Sequence, residues 1–275
     1  MRNFSPTTLQ LPVMFLFALT LACQAQAQDA GEDAQTAALA KAAQNPIASL
    51  ISLPFQNNTD FGVGPDDGTK NTLNIQPVWP FALSDSWNLI TRTIVPVVSQ
   101  PGFGAGDDRV TGIGDTTFTA FFSPRNSGKW TWGVGPVIVL PTGSNDQLTS
   151  DKWGLGISAV VLTQPGNWVV GSLLSNVKSV SGGGGTDFNI FTWQYFVNYN
   201  FNHGWYLTSA PIITANWEAS GSNRWTVPFG GGVGKIMKWG KQPVNLSAQA
   251  YKNIESPEFG ADWQLRLQVQ LLFPK

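Results

Sequence analysis

The sequence predicts an all-β protein, a transmembrane antiparallel up-and-down β-barrel of about 12 strands that follows a cleaved signal peptide. Three observations lead to this class. Charged residues make up only 12% of the chain, about half of the roughly 25% found in an average soluble domain. Apolar and polar side chains alternate with period two along many segments, as they do in strands with two different faces. Most of these segments are long enough for a membrane strand, which needs about 9–11 residues.

Residues 1–27 have the features of a secretory signal peptide. Arg2 gives a basic start, residues 11–22 form an apolar stretch, and Ala25-Gln26-Ala27 supplies a small-x-small cleavage pattern. The apolar stretch is shorter than the about 20 residues of a membrane-spanning helix. We therefore expect cleavage after Ala27, which would also remove the only cysteine of the chain, Cys23.

Residues 28–46 do not fit the strand pattern and are predicted to be an N-terminal segment in the periplasm, either a short helix or disordered. The alanine-rich run 36–44 has high helix propensity, and Pro46 would end a helix before it. Isolated helices of this length are marginal in water, which favours a loose tail. The alternative is a plug folded into the barrel lumen.

The barrel itself is assigned to residues 47–275. Its clearest strand is 262–273, where Trp263, Leu265, Leu267, Val269, Leu271 and Phe273 alternate with polar residues. The full set of predicted strands is 48–57, 71–82, 87–98, 115–123, 130–140, 153–164, 168–177, 188–201, 205–217, 224–238, 244–254 and 262–273. Long polar gaps and short turns alternate between them, as expected for extracellular loops and periplasmic turns. An even strand number would place both termini on the periplasmic side.

Nine tryptophans fall at the predicted membrane boundaries. Indole has an apolar body and a polar N–H, so it collects in girdles at the two interfaces. The periplasmic girdle is predicted to contain Trp87, Trp130, Trp168, Trp205 and Trp239. The extracellular girdle is predicted to contain Trp153, Trp217, Trp225 and Trp263.

The polar side chains that alternate with the apolar ones along each strand are expected to face the lumen. They are mostly uncharged, and the candidate lining residues are Asn74, Gln76, Arg92, Asp115, Thr117, Gln194, Asn198, Gln264, Arg266 and Gln268. Arg92 and Arg266 are predicted either to face each other as a selectivity point or to pair with Asp115 for structural reasons, with the pairing slightly favoured. A filled interior and an open pathway are both compatible with the pattern.

The composition does not favour an enzyme, and no catalytic, cofactor-binding or metal-binding residues are predicted. A serine hydrolase needs a base, most often histidine. The only histidine, His203, lies in a predicted tight turn. The 16 basic and 17 acidic residues nearly balance, so the chain also lacks the basic excess expected of a nucleic-acid-binding protein.

Four segments resemble a known protein family: 45–58 (NPIASLISLPFQNN), 73–81 (LNIQPVWPF), 87–96 (WNLITRTIVP) and 112–116 (GIGDT). They are similar to the transporter-like outer-membrane proteins of the phenol-degradation meta-pathway family, sometimes mislabelled neuromedin U. The resemblance covers about residues 45–275. It implies a bacterial outer-membrane barrel and suggests uptake of small aromatic or other hydrophobic compounds. The family has no agreed binding-site residues to carry over.

Together these observations predict an outer-membrane channel or facilitator for passive uptake of small, neutral or hydrophobic and aromatic solutes, without a cofactor. The alternative is a structural or surface-interaction barrel with a closed lumen. The expected partners are outer-membrane lipid, a small solute and the barrel-assembly machinery during insertion.

Overall fold

The structure, a computed structural model, describes residues 31, 33–102 and 108–274. The predicted signal peptide and its cleavage site lie outside these residues. Within the described ranges, no helix is both long and apolar enough to cross a membrane.

Antiparallel strands form one closed barrel, in which β1 pairs with β15 over eleven residue pairs. The strands are β1 (Ile51–Val63), β2 (Gly68–Ile75), β3 (Val78–Ala82), β4 (Trp87–Gln100), β5 (Val110–Ile113), β6 (Thr116–Pro124), β7 (Trp130–Leu140), β8 (Lys152–Thr163), β9 (Trp168–Gly182), β10 (Asn189–Asn200), β11 (Trp205–Ser209), β12 (Ile212–Asn216), β13 (Trp225–Trp239), β14 (Gln242–Glu255) and β15 (Trp263–Phe273). The pairs β2/β3, β5/β6 and β11/β12 each form one interrupted strand of the barrel. We call each strand position of the barrel, interrupted or continuous, a stave. The barrel therefore has twelve antiparallel staves, which confirms the predicted fold class.

Two of the interrupted staves replace one continuous predicted strand each, 71–82 and 205–217, whereas the third adds β5 ahead of the predicted strand 115–123, in a segment predicted to be a loop. Pro77 lies in the interruption between β2 and β3, and Pro211 lies in the one between β11 and β12. Proline has no N–H to donate to a neighbouring strand. Around Pro77 the backbone groups still find partners: Gln76 N donates to Pro54 O at 2.9 Å, and Thr93 N donates to Pro77 O at 3.1 Å. The barrel therefore bends locally without leaving these groups unpaired.

The first strand differs from its prediction. It was expected over 48–57, but β1 runs from Ile51 to Val63 and includes a run of polar residues. Two of them, Asn58 and Asp60, accept hydrogen bonds from Arg266 and Gln264 across the strand pair with β15. The connection to β2 is consequently only four residues long, not the long polar loop predicted for 62–70.

The two ends of the barrel are named here by their connections. The turn end carries the short turns, such as 164–167 and 201–204, together with the start of β1 and the end of β15. The loop end carries the longer connections, such as 141–151. All nine tryptophans of the predicted girdles lie at or next to strand ends. Trp87, Trp130, Trp168, Trp205 and Trp239 are at the turn end, and Trp153, Trp217, Trp225 and Trp263 are at the loop end.

The N-terminal segment contains a helix over residues 33–43, α1, which lies at the turn end. Ala40 and Leu50 pack against Ile236 of β13 and Leu272 of β15. Ile47 enters a second apolar cluster formed by inward side chains of β4, β6, β8, β9 and β10. The described part of this segment is thus folded into the mouth of the barrel, as in the plug alternative, and is not a loose tail.

Candidate functional site

A cavity of about 180 Å³ occupies the barrel interior. Its floor is the chain between α1 and β1, including Gln44, Pro46 and Ala48. Its walls come from inward side chains on both sides of the barrel, since β1 and β15 contribute as well as β9 and β10. The N-terminal segment therefore closes this space towards the turn end.

Six of the ten predicted lumen residues line the cavity: Gln76, Arg92, Gln194, Asn198, Arg266 and Gln268. Three more, Asn74, Gln264 and Thr117, share the inward face without lining it. Asn74 lies opposite Gln56, and Gln264 donates a hydrogen bond to Asp60 at 2.7 Å. Thr117 lies two residues before Thr119, the strand partner of Arg92, and so shares its face. The structure brings Asp115 to a different place.

The Asp115 carboxylate anchors the loop 141–151. Its Oδ1 accepts from Gly143 N at 3.2 Å and from Thr149 Oγ1 at 2.6 Å. Its Oδ2 accepts from Ser150 N and Ser150 Oγ, both at 2.8 Å. Asp115 sits in the break between β5 and β6, beside this loop. The predicted pairing of Asp115 with an arginine is therefore wrong, because both carboxylate oxygens are used by the loop.

Arg266 is held by three hydrogen bonds. Nε donates to Asn58 Oδ1 at 3.0 Å, Nη1 donates to Ala210 O at 2.8 Å, and Nη2 donates to Gln264 Oε1 at 3.0 Å. The guanidinium also lies 4.9 Å from the centre of the Tyr251 ring. Ala210 precedes Pro211 in the break between β11 and β12, and its N–H donates to Tyr251 Oη at 3.0 Å. Arg266 and Tyr251 thus satisfy the backbone at this interruption.

Arg92 projects into the cavity with fewer partners. Within the described residues, its guanidinium donates a hydrogen bond to Gln76 Oε1. No ion pair between Arg92 and a carboxylate occurs in that part of the chain. Arg92 and Arg266 both line the cavity, but Arg266 donates three hydrogen bonds to the barrel wall, whereas Arg92 donates to Gln76 among the described residues.

One half of the interior is more apolar than the sequence pattern predicted. Inward side chains of five staves pack around Ile47 near the turn end: Ile90, Phe121, Val160, Leu162, Val169, Leu173 and Phe196. The sequence shows little alternation here, since both faces of the run 157–162 are largely apolar. Parity alone could not distinguish the inward members. The remaining sign of an apolar interior in the sequence was Ile47, a large apolar residue that lies outside any strand.

Polar contacts fix the N-terminal segment to the wall. Gln44 and Asn200 exchange two side-chain hydrogen bonds, at 2.8 and 3.2 Å. Gln164 Nε2 donates to the backbone oxygen of Lys41 at 2.9 Å, and Asn88 Nδ2 donates to Ser49 Oγ at 3.1 Å. The segment is therefore attached to three separate staves or turns.

His203 lies in the turn between β10 and β11, and its Nδ1 is 3.1 Å from Asp33 Oδ1 of α1. Its side chain is largely exposed. This contact joins α1 to the turn end of the barrel and lies away from the residues that line the cavity. Within the described ranges, no group of three or more potential metal ligands of the His, Cys, Asp and Glu types occurs together.

Comparisons with solved structures place this fold among outer-membrane barrels. An outer membrane channel from Pseudomonas putida F1 matches with a TM-score of 0.61 and 18% identity, covering 82% of this chain and 94% of that one. The KdgM porin in complex with disordered oligogalacturonate matches with a TM-score of 0.43 and 12% identity over 82% and 99% of the two chains. The outer membrane phospholipase dimer of Salmonella typhi, with bound calcium, gives 0.43 and 14% over 82% and 91%. Only the first similarity is close enough to support an argument, and it concerns the fold.

Sequence comparison is more specific. No curated protein matches the chain. The family described as "Putative MetA-pathway of phenol degradation" matches residues 54–268, most of the barrel. This agrees with the resemblance of segments 45–58, 73–81, 87–96 and 112–116. The chain belongs to this family.

Proposed function

We propose that this protein is an outer-membrane channel for passive uptake of small, neutral or hydrophobic and aromatic solutes. The observation that carries the proposal is the cavity inside the closed twelve-stave barrel, which has amide and hydroxyl side chains on its walls. The similar fold of an outer membrane channel from Pseudomonas putida F1 supports the same general role. In the cell the barrel would contact outer-membrane lipid and would be inserted by the barrel-assembly machinery.

The barrel size favours small solutes. Barrels of about eight strands have interiors filled by side chains, and those of sixteen or more leave an aqueous channel. Twelve staves lie between these cases. The cavity of about 180 Å³ has room for a small molecule but not for a polymer. Its wall mixes side-chain amides, such as Gln194 and Asn198, with apolar groups such as Leu173 and Phe196, a combination suited to a solute with an apolar body and a few polar atoms.

The N-terminal segment would control this pathway. It forms the floor of the cavity and is held by side-chain hydrogen bonds and by the apolar contacts of Ile47. A solute moving towards the periplasm would have to displace it. The segment is joined to the barrel at the start of β1, so release of residues 33–50 would need no strand to separate.

The alternative is a structural or surface-interaction barrel with a permanently closed lumen. The same plug favours it, because residues 40–50 pack tightly enough to bury Ala40 and Ile47 almost completely. The two functions differ in one measurable property. A channel passes ions or solutes, whereas a closed barrel does not.

The test is conductance and solute flux through the refolded mature protein. Planar bilayers would report ionic current, with benzamide as a neutral aromatic solute detected by interruptions of that current. Liposome swelling would report entry of a neutral pentose. A deletion of residues 33–48 would be compared with the intact chain, after heat-shifted migration on gels shows that both barrels are folded.

The channel proposal expects current and swelling with the intact chain and larger values for the deletion. Folded, inserted protein that gives neither current nor swelling in both forms would overturn the proposal and leave the closed-barrel alternative. Current in the deletion alone would indicate a channel that opens only when the plug is displaced.

A further inference from the structure

The cavity has an unbalanced charge. Its lining residues include two arginines, Arg92 and Arg266, and no aspartate or glutamate among the residues that the structure describes. A cation held away from bulk water is costly unless an anion or several acceptors compensate it. The compensation at each arginine therefore indicates which of them is available to a ligand.

Arg266 is compensated by the protein. Three acceptors, Asn58 Oδ1, Ala210 O and Gln264 Oε1, take hydrogen bonds from its three guanidinium nitrogens. The Tyr251 ring lies beside it, and Asp60 is connected to it through Gln264. This side chain belongs to the wall and has few donors left for a solute.

Arg92 is not compensated in this way. Its guanidinium donates to Gln76 Oε1, a neutral acceptor, and has no carboxylate partner within the described ranges. A guanidinium has five N–H donors in a planar fork that fits a carboxylate with two parallel hydrogen bonds. The remaining donors face a cavity in which such a group could be placed.

The surroundings of Arg92 are apolar. Val78 lies directly opposite it on the neighbouring strand, and Ile90 and Ile94 flank it on the inward face of β4. Leu173 and Phe196 line the same cavity, and Pro46 and Ala48 of the plug form its floor. A ligand that satisfied Arg92 would therefore place the rest of its surface against hydrocarbon.

We infer that the cavity binds small monocarboxylates with an apolar body, with the carboxylate on Arg92 and Gln76 and the body against Leu173 and Phe196. The inference rests on the proposed function and narrows its hydrophobic and aromatic solutes to those that carry one carboxylate. A single carboxylate is expected, because three of the five N–H donors of Arg266 are already used by the barrel wall. The site would hold the solute directly above the plug.

The experiment measures binding of benzoate and of benzamide, its neutral counterpart of nearly the same shape, by equilibrium dialysis with the refolded full barrel. We expect benzoate to bind at least about tenfold more tightly, because charge-assisted bidentate hydrogen bonds are roughly twice as strong as neutral ones. Arg92→Gln should remove this preference. Arg92→Lys keeps the charge but loses the fork, so it should retain part of the preference.

Arg125→Gln serves as the matched control. Arg125 lies in a turn at the turn end, outside the cavity, and donates to Ser84 O. Arg125→Gln changes the net charge as Arg92→Gln does. Because the charge is removed outside the cavity, the preference for benzoate should stay unchanged. Equal binding of the two probes to the native barrel, or a preference retained in Arg92→Gln of confirmed fold, would overturn the inference.

Pentose swelling and conductance, measured on the same preparations, separate this inference from the channel proposal. Swelling and current without a benzoate preference would overturn the carboxylate site and leave the channel. An Arg92-dependent preference in a barrel that conducts nothing would support the site and overturn uptake.

Discussion

Gln44 and Asn200 lie 156 positions apart in sequence and exchange two side-chain hydrogen bonds, at 2.8 and 3.2 Å. The first residue follows α1 and the second ends β10. Asn200 is buried, so water does not readily replace either partner. This pair is the clearest polar attachment of the N-terminal plug to the barrel wall.

Gln44→Ala should therefore loosen the plug. Removing one partner of a buried hydrogen bond costs about 1–3 kcal/mol, so the open fraction seen in single-channel recordings should rise. Asn200→Ala should have a similar effect. If the two side chains act through each other, the double variant should open little more than either single variant. Closed-state occupancy that is unchanged in all three would show that other contacts alone hold the segment.

Ile47→Ala should release the same segment by removing an apolar contact. Ile47 is 4% exposed and packs in the larger of the two apolar clusters described above. Truncating a buried aliphatic side chain costs about 2–5 kcal/mol. Limited proteolysis should then cut residues 33–50 much faster while the barrel stays intact. Ile254→Ala, at a position that is 70% exposed on β14, is the control and should not change the cleavage rate.

Asp115→Asn should free the loop 141–151. The carboxylate accepts four hydrogen bonds from this loop, two of them backbone N–H groups, and a neutral amide has only one oxygen to replace both acceptors. Amide hydrogen exchange at 143–150 should accelerate. Asp146→Asn changes an exposed aspartate in the same loop and should leave exchange near its native rate. Equal acceleration in both variants would argue that charge, not the anchoring geometry, holds the loop.

The pair Lys152 and Asp187 predicts a pH dependence at the loop end. A hydrogen bond from Lys152, 2.8 Å away, lowers the pKa of Asp187, and a second one from Ser179 adds to it. Because the pKa is lower in the folded protein, the pair contributes stability above the unfolded-state pKa and loses it as pH falls through the folded-state pKa. The contribution is small, since the Asp187 side chain is exposed.

Lys152→Ala should therefore raise the pKa of Asp187 towards its ordinary value, which a carboxyl NMR titration would measure. Lys178→Ala is the matched control, because Lys178 makes the smallest contribution among the causes of the shift. An Asp187 titration that is the same in the native protein and in Lys152→Ala would contradict the assignment.

The sequence alone determined the barrel because a membrane imposes a strong pattern. Lipid accepts only apolar side chains, and every second residue of a membrane strand must meet it. That requirement is visible in residues 262–273, which correspond to β15 within one residue at the start. Tryptophans such as Trp87 and Trp263, predicted to lie at the membrane boundaries, begin β4 and β15 in the structure.

Local sequence did not show where this pattern would break. The polar run from Gln56 to Asp60 predicts an end to the first strand, yet β1 continues to Val63, because Arg266 and Gln264 supply partners from the strand that closes the barrel. These residues are about 208 positions apart in sequence. Their match depends on closure of the sheet, which no short window contains.

The interior was decided by the tertiary structure. Short-range reasoning favoured a loose N-terminal tail, because a helix the length of α1 is marginal alone. The folded barrel stabilises it by offering apolar inward residues to Ile47 and a buried amide to Gln44. Sequence identified Arg92 and Arg266 as lumen arginines. Only the three-dimensional arrangement shows that Arg266 donates a hydrogen bond to Ala210 O in the break between β11 and β12. It also shows that Arg92 lines the cavity without a carboxylate partner within the described ranges. The sequence could not separate the two arginines, because hydrogen-bond partners are set by distance in space.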